Sequence, residues 1–199
     1  SKGNLVAPEE ILDREGADAL RLAHLFVGPP QDDVDWEGVG IEGCARFLQR
    51  VWRLGTGEAG TDPVDRAPTP ADTELETAAH RLIARVTDEY DRWSYNTAVA
   101  AFMEFSNELY RYVQADDGPR RETFAFAYDT LLLLMAPMTP HITAELWARR
   151  HDGAHVHEQA WPAADPAMLA VDTVTLVVQV NGKVRDRIDV PSGIDAAEA

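Results

Sequence analysis

The sequence predicts a mainly α protein: a helix bundle followed by a β-hairpin that opens a truncated α/β C-terminal domain. Three observations predict it. From Pro8 to Arg150, apolar residues recur three and four positions apart, the spacing of one helix face. From Val174 onward the period falls to two, with Val174, Leu176, Val178 and Val180 alternating against Thr175, Val177 and Gln179. Asn181-Gly182 then separates that run from a second one. It is the strongest short hairpin signal, because a type I′ turn needs positive φ at both central residues.

The elements follow in order. Pro8 suits a first helical turn, and Glu9 and Glu10 favour the positive end of the helix dipole; Gly16 ends this helix. A second helix runs from Ala17 to Val27 and stops at Gly28-Pro29-Pro30. A third runs from Val39 to Leu54, with Ile41, Cys44, Leu48, Val51 and Trp52 as its apolar stripe. The stretch from Gly55 to Pro70 is rich in Gly, Pro, Thr and Asp and reads as a loop. Thr69-Pro70, or Thr73 with Glu76, can cap the next helix, which buries Leu75, Ala79, Leu82, Val86, Tyr90 and Trp93. Ser94 to Asn96 make a tight break before a helix from Thr97 to Gln114, and Asp116 to Pro119 form a turn. The helix from Arg120 to Met135 is apolar on most sides from Phe124 onward, which places it in the middle of the bundle. Pro137 stops it, and Thr139-Pro140 opens a last helix that ends near Arg149-Arg150. The expected core includes Leu48, Trp52, Leu82, Val86, Leu132 and Trp147. After the hairpin, Ile194 to Ala199 looks like the start of another helix.

Composition narrows the functional classes. At 199 residues and 45% hydrophobic content, the chain holds one domain, or one domain plus part of another. Cys44 is the one cysteine, so no intrachain disulfide can form, and a reducing compartment fits. Eighteen Lys and Arg against 34 Asp and Glu give a net charge of −16, the wrong sign for a nucleic-acid binder, whose phosphate contacts need cations. Any such contact is therefore local, or lies outside this stretch. The run Leu131 to Met135, between Asp129 and Pro137, falls well short of the roughly 20 residues a membrane helix needs.

Several motifs carry a family resemblance: Ser1-Lys2-Gly3-Asn4, Pro8-Glu9-Glu10-Ile11-Leu12, Gly28-Pro29-Pro30-Gln31-Asp32-Asp33-Val34-Asp35-Trp36, Arg46 to Leu54, Ala136-Pro137-Met138-Thr139-Pro140-His141-Ile142, Glu145-Leu146-Trp147 and Val178-Gln179-Val180-Asn181-Gly182-Lys183-Val184-Arg185. Their order resembles the C-terminal part of class I aminoacyl-tRNA synthetases, and of the leucyl-tRNA synthetases in particular. It covers nearly the whole chain. Ser1 matches the last serine of that family's Lys-Met-Ser-Lys-Ser nucleotide loop. Ala7 stands where the family often has an acidic residue, a change of helix capping.

The resemblance implies a helix bundle of the anticodon-binding type within a leucine–tRNA ligase. Residues 1–37 would be a connector after the nucleotide loop, 38–160 the tRNA domain, and 161–199 a linker and the first hairpin of a truncated C-terminal domain. It implies ATP and Mg for the full-length enzyme and no cofactor in this stretch. Its partners would be tRNA(Leu) and the catalytic and editing domains of the same parent chain, in the cytoplasm and away from membranes. No catalytic residue is expected here beyond Ser1 as a remnant of the ATP loop, and Lys2 is not a site. The other reading is a non-catalytic helical interaction or scaffold domain without direct RNA contact, which the acidity favours.

Candidate tRNA-binding residues are cations in stripes. Arg46, Arg50 and Arg53, with Gln49, share the helix face opposite Cys44, Leu48 and Val51. A guanidinium pairs with phosphate oxygens through two parallel donors, so such a face can meet RNA, or can simply be solvated. Arg81 and Arg85, with Arg92 beyond Asp88, form a second and weaker stripe. Lys183, Arg185 and Arg187 alternate along the second strand and would point to one face. His151, His155 and His157 lie close together, but no second ligand pair accompanies them, so a polar loop is expected and no metal site. Cys44 and His141 read as core and helix-start residues. The five tryptophans are spread over different elements, with no ladder for single-stranded RNA.

Overall fold

The computed structural model describes residues 7–29, 39–60 and 62–170, and the backbone of 173–180 and 183–191. Two compact units divide the chain, 1–164 and 165–199.

The first unit is a helix bundle. Helices α1 (Pro8–Glu15) and α2 (Ala17–Phe26) meet at Gly16, whose φ of 84° suits glycine. α3 (Ile41–Thr56), α4 (Pro70–Asp91), α5 (Tyr95–Val113), α6 (Arg121–Met135) and α7 (Pro140–Arg150) follow. α4 packs on α5 and α6, and α2 on α3, α5 and α7. α6 buries Phe124, Ala127, Tyr128, Leu131, Leu132, Leu134 and Met135, the central helix that its unbroken apolarity predicts. Leu48, Leu82, Val86, Leu132 and Trp147 are core residues, as expected.

Two aromatic expectations fail. Trp52 is half-buried, its ring lying under the Arg149 guanidinium at 4.6 Å. Trp93 is outside the core altogether, because α4 ends before it. The Ser94 amide donates to Glu89 O at 2.8 Å and the Trp93 amide to Tyr90 O at 3.1 Å. These bonds close a C-terminal cap with Trp93 in the left-handed conformation.

α3 also runs two residues past Leu54, through Gly55. A Cβ on Gly55 would collide with Tyr128 Oη and Leu146 Cδ2. A Gly here lets α3 approach α6 and α7, so local composition misreads packing as a loop. Tyr128 uses that proximity to donate to Val51 O at 2.8 Å.

The loop from 62 to 69 is a strap fastened at both ends. The Val64 amide donates to Pro119 O and the Arg121 amide to Val64 O, both at 2.9 Å. Arg66 reaches Gly118 O at 3.1 Å and Asp72 Oδ2 at 2.6 Å. Of the two caps that the sequence allows, α4 uses Thr69, with Asp72 as its carboxylate partner. Glu76 instead accepts from Thr123 Oγ1 at 2.6 Å.

In the second unit, Asp165 caps the short α8 (Pro166–Leu169) by accepting from the Ala167 amide at 2.9 Å. The backbones of β1 (Thr173–Val180) and β2 (Lys183–Pro191) pair antiparallel. The expected Asn181-Gly182 turn lies outside the described residues.

Candidate nucleic-acid interface

α3 positions the first arginine stripe because its apolar face is saturated. Ile41, Cys44, Ala45, Phe47, Leu48, Val51 and Leu54 are all buried. Of the remaining positions, Arg46, Gln49 and Arg53 are exposed, as is Glu42, which pairs with Arg14 at 3.7 Å. Among the described residues, neither Arg46 nor Arg53 has a carboxylate partner. Arg50 is different. It is half-buried between α3 and α5, its Nη2 donates to Asn107 Oδ1 at 2.8 Å, and its guanidinium lies 4.5 Å from the Tyr110 ring centre. Tyr110 in turn donates its hydroxyl to Arg50 O at 3.0 Å. Arg50 is therefore held as part of the α3–α5 packing, with no carboxylate partner among the described residues.

The second stripe is neutralised. Arg85 binds Glu104 at 2.7 Å and Glu89 at 3.0 Å, and the hydrogen bond it donates to Glu104 raises its already high pKa. Arg92 pairs with Asp88 at 2.9 Å. Arg81 lines a surface groove between α4 and α5 with Glu74, Glu104 and Glu108. The acids of α5 thus lie toward α4 and away from the α3 arginines. The structure brings together Arg46, Arg50 and Arg53, with Asn107 and Tyr110 beside them, and sets Arg81 and Arg85 apart among carboxylates. The sequence offered a signal for Asn107 and Tyr110, since they lie three apart on one face of α5.

The remaining candidates resolve individually. Ser1 lies outside the described residues. For Lys183, Arg185 and Arg187 only the backbone is described. The pairing of β2 with β1 shifts register between Val178 and Gln179, so Val184 and Asp186 have cross-strand partners and Arg185 has none. Strict alternation is interrupted there. His141 is exposed at the start of α7, with Nδ1 2.8 Å from Asp18 Oδ1. Asp18 Oδ2 accepts from the His141 and Ile142 amides at 3.0 and 2.7 Å, so a residue of α2 caps α7. The three loop histidines part company. His151 stacks on Trp147 at 4.1 Å, His157 approaches Pro140 O at 3.3 Å, and no group of metal-ligating side chains occurs among the described residues. Cys44 is buried, which pushes its thiol up to about 11 and keeps it a core residue. No helix among the described residues is long and apolar enough to cross a membrane.

Comparison with known proteins gives these features a context. The chain is 37% identical to the leucine–tRNA ligase of Symbiobacterium thermophilum, and the match takes in 100% of this chain and 27% of that protein. It is 41% identical to the leucine–tRNA ligase of Trichormus variabilis, over 100% of this chain and 23% of that one. The chain thus spans about a quarter of the length of these relatives. Its fold superposes on the LeuRS of Agrobacterium radiobacter K84 agnB2, solved in a ternary complex with tRNA and LeuAMS. The TM-score there is 0.81 at 28% identity, over 99% of this chain and 26% of the other. Free Mycobacterium tuberculosis methionyl-tRNA synthetase shares the fold, with a TM-score of 0.55 at 20% identity over 71% of this chain and 34% of that one. None of these matches supports a helical scaffold without RNA contact. The profile of the anticodon-binding domain of tRNA ligases matches residues 72–199, and the chain belongs to that family, in its leucine–tRNA ligase branch.

Proposed function

We propose that this chain is the tRNA-binding helical domain of a leucine–tRNA ligase, and that it holds tRNA(Leu) so that the acceptor end reaches the active site. The contribution is positional. Fixing a reactant in place can supply a large part of a reaction's barrier without any chemistry in the domain itself. ATP, Mg and leucine would be handled by the catalytic portion of the longer polypeptide, in the cytoplasm, and an editing portion would remove leucine look-alikes. The antiparallel strands would open a small C-terminal α/β domain.

One observation carries the reading. In a chain of net charge −16, the α3 arginines have no carboxylate partners among the described residues, while the arginines of α4 and its cap are paired or set among acids. Arg46 and Arg53 are the mobile phosphate contacts, and Arg50, clamped by Asn107 and Tyr110, adds fixed positive charge between them. Lys183, Arg185 and Arg187 are offered as a second contact on the strand.

The test is the salt dependence of tRNA binding. Replacing Arg46 and Arg53 by alanine removes two phosphate contacts, which flattens the log–log salt slope by about 1.4–1.8. The Arg81→Ala, Arg85→Ala double variant leaves the slope where it was. An unchanged slope in the first variant would show that the α3 face is merely solvated. Aminoacylation by the full-length polypeptide, with leucine against isoleucine, valine and methionine, tests the amino-acid assignment.

A further inference from the structure

The turn between α4 and α5 carries a residue that gains nothing where it stands. Trp93 has φ of 60°, in the left-handed region that favours glycine. It is 66% exposed, the most exposed of the large hydrophobic residues among those described. Neither backbone comfort nor burial explains a tryptophan here, and a strained, exposed aromatic points to a contact made elsewhere.

Trp93 does not stand alone. A row of rings runs from it through Tyr95 at 6.0 Å and Tyr90 at 5.7 Å to Trp161 at 5.4 Å. The row is fastened to the bundle. Tyr90 donates its hydroxyl to Leu134 O at 3.0 Å, and Trp161 Nε1 donates to Thr87 Oγ1 at 2.9 Å. Scattered in sequence, these aromatics converge into one surface, open at Trp93 and at Trp161, which is 42% exposed.

The geometry and charge select the occupant. The rings meet at 48°, 78° and 66°, tilted or edge-on, so no two of them present parallel faces that would sandwich a flat base. The acids of the turn also disfavour a phosphate backbone. Asp88 is matched by Arg92 and Glu89 by Arg85, and Asp91 has no cationic partner among the described residues. An exposed indole two residues from Asp91, which has no cationic partner among the described residues, suits a guanidinium or ammonium group, held by the ring face and by the charge. The curated relatives carry about three-quarters of their length outside the stretch that this chain matches. We infer that the Trp93 turn docks an Arg- or Lys-bearing segment of the catalytic portion of the same polypeptide, locking the tRNA-binding bundle to it. The inference rests on the reading of the chain as a leucine–tRNA ligase domain.

Trp93→Gly tests it, because glycine relieves the backbone at this position instead of disturbing the fold. Hydrogen exchange at residues 90–96 is compared between the 199-residue chain and the full-length polypeptide. The expected result is at least tenfold slower exchange in the full-length protein. Trp93→Gly abolishes that difference and Asp91→Asn reduces it, while the melting temperature of the 199-residue chain is unchanged or higher with glycine. Equal exchange in the two wild-type proteins overturns the inference. So does a concentration-dependent dimer of the 199-residue chain that Trp93→Gly dissolves, which would make a second copy the occupant. Loss of tRNA affinity in that variant of the 199-residue chain overturns it too, in favour of RNA. Leucine charging by the full-length wild type is measured alongside. If charging is present and the exchange difference is absent, the docking inference fails and the functional reading stands.

Discussion

Replacing Asp72 by asparagine should unfasten the strap and lower stability in a way that depends on pH. Asp72 is 1% exposed and accepts five hydrogen bonds. Arg66 supplies two, at 2.6 and 3.1 Å; Thr69 supplies two, from its amide at 2.5 Å and its hydroxyl at 2.8 Å; the Tyr112 hydroxyl supplies the fifth. Burial works to raise the carboxyl pKa, but the bonds from Arg66, Tyr112 and Thr69 outweigh it and hold the group well below the usual carboxylate range. Asparagine keeps the shape but turns one acceptor into a donor, which must then face an Arg66 donor at either position, with Thr69 at one or the Tyr112 hydroxyl at the other. Breaking a buried pair in this way costs about 3–5 kcal/mol. Arg66 is 19% exposed and can recover some water, so the lower end, about 3 kcal/mol, is expected. For a domain of this size that lowers the melting temperature by about 6–12 °C.

The sign with pH follows from the depressed pKa. The stabilisation is complete above the unfolded value of about 3.9 and is lost as pH falls through the folded value. Urea melts of wild type and Asp72→Asn at pH 6 and pH 3 should therefore differ widely at the first and converge toward the second. A difference under 1 kcal/mol at pH 6, or one that does not shrink at pH 3, would refute the argument.

Two smaller changes probe the bundle. Trp52→Ala should cost about 1–2 kcal/mol in urea melts, below the 3–5 expected of a fully buried ring, because Trp52 is half-buried under Arg149; a loss above 3 would place the ring in the core. Gly55→Ala should cost about 1–3 kcal/mol by overpacking against Tyr128 and Leu146, and a neutral result would mean that the α3–α6 contact is looser than the structure has it.

What the sequence could tell, and what it could not, divides along range. Helices α1, α2, α6 and α7 were legible because their boundaries rest on local signals: Pro8, Gly16, Pro137 and Pro140 act within a turn of themselves. The errors fall where a distant contact overrides a local rule. Gly55 sits inside α3 because Tyr128 and Leu146 need the space, residues more than seventy positions away. Trp93 looked like a core residue because helical spacing says nothing about where α4 stops. Its end is fixed by the cap bonds to Glu89 and Tyr90.

The candidate site shows the same division, with a functional consequence. On the sequence, the stripes on α3 and α4 are alike in kind, arginines at helical spacing, the second interrupted by Asp88. The difference between them lies in the acids around them, on α4 itself and on α5. That helix turns Glu104 toward Arg85 and Asn107 with Tyr110 toward Arg50. Arg85 is thereby held in ion pairs and Arg81 set among carboxylates, while Arg50 has neutral partners. A neutral amide and an aromatic ring can hold a guanidinium in place without cancelling it, whereas a carboxylate would do both. On the proposed function, Asn107 in place of an acid at the α3–α5 seam is what leaves Arg50 beside Arg46 and Arg53 without a carboxylate partner among the described residues.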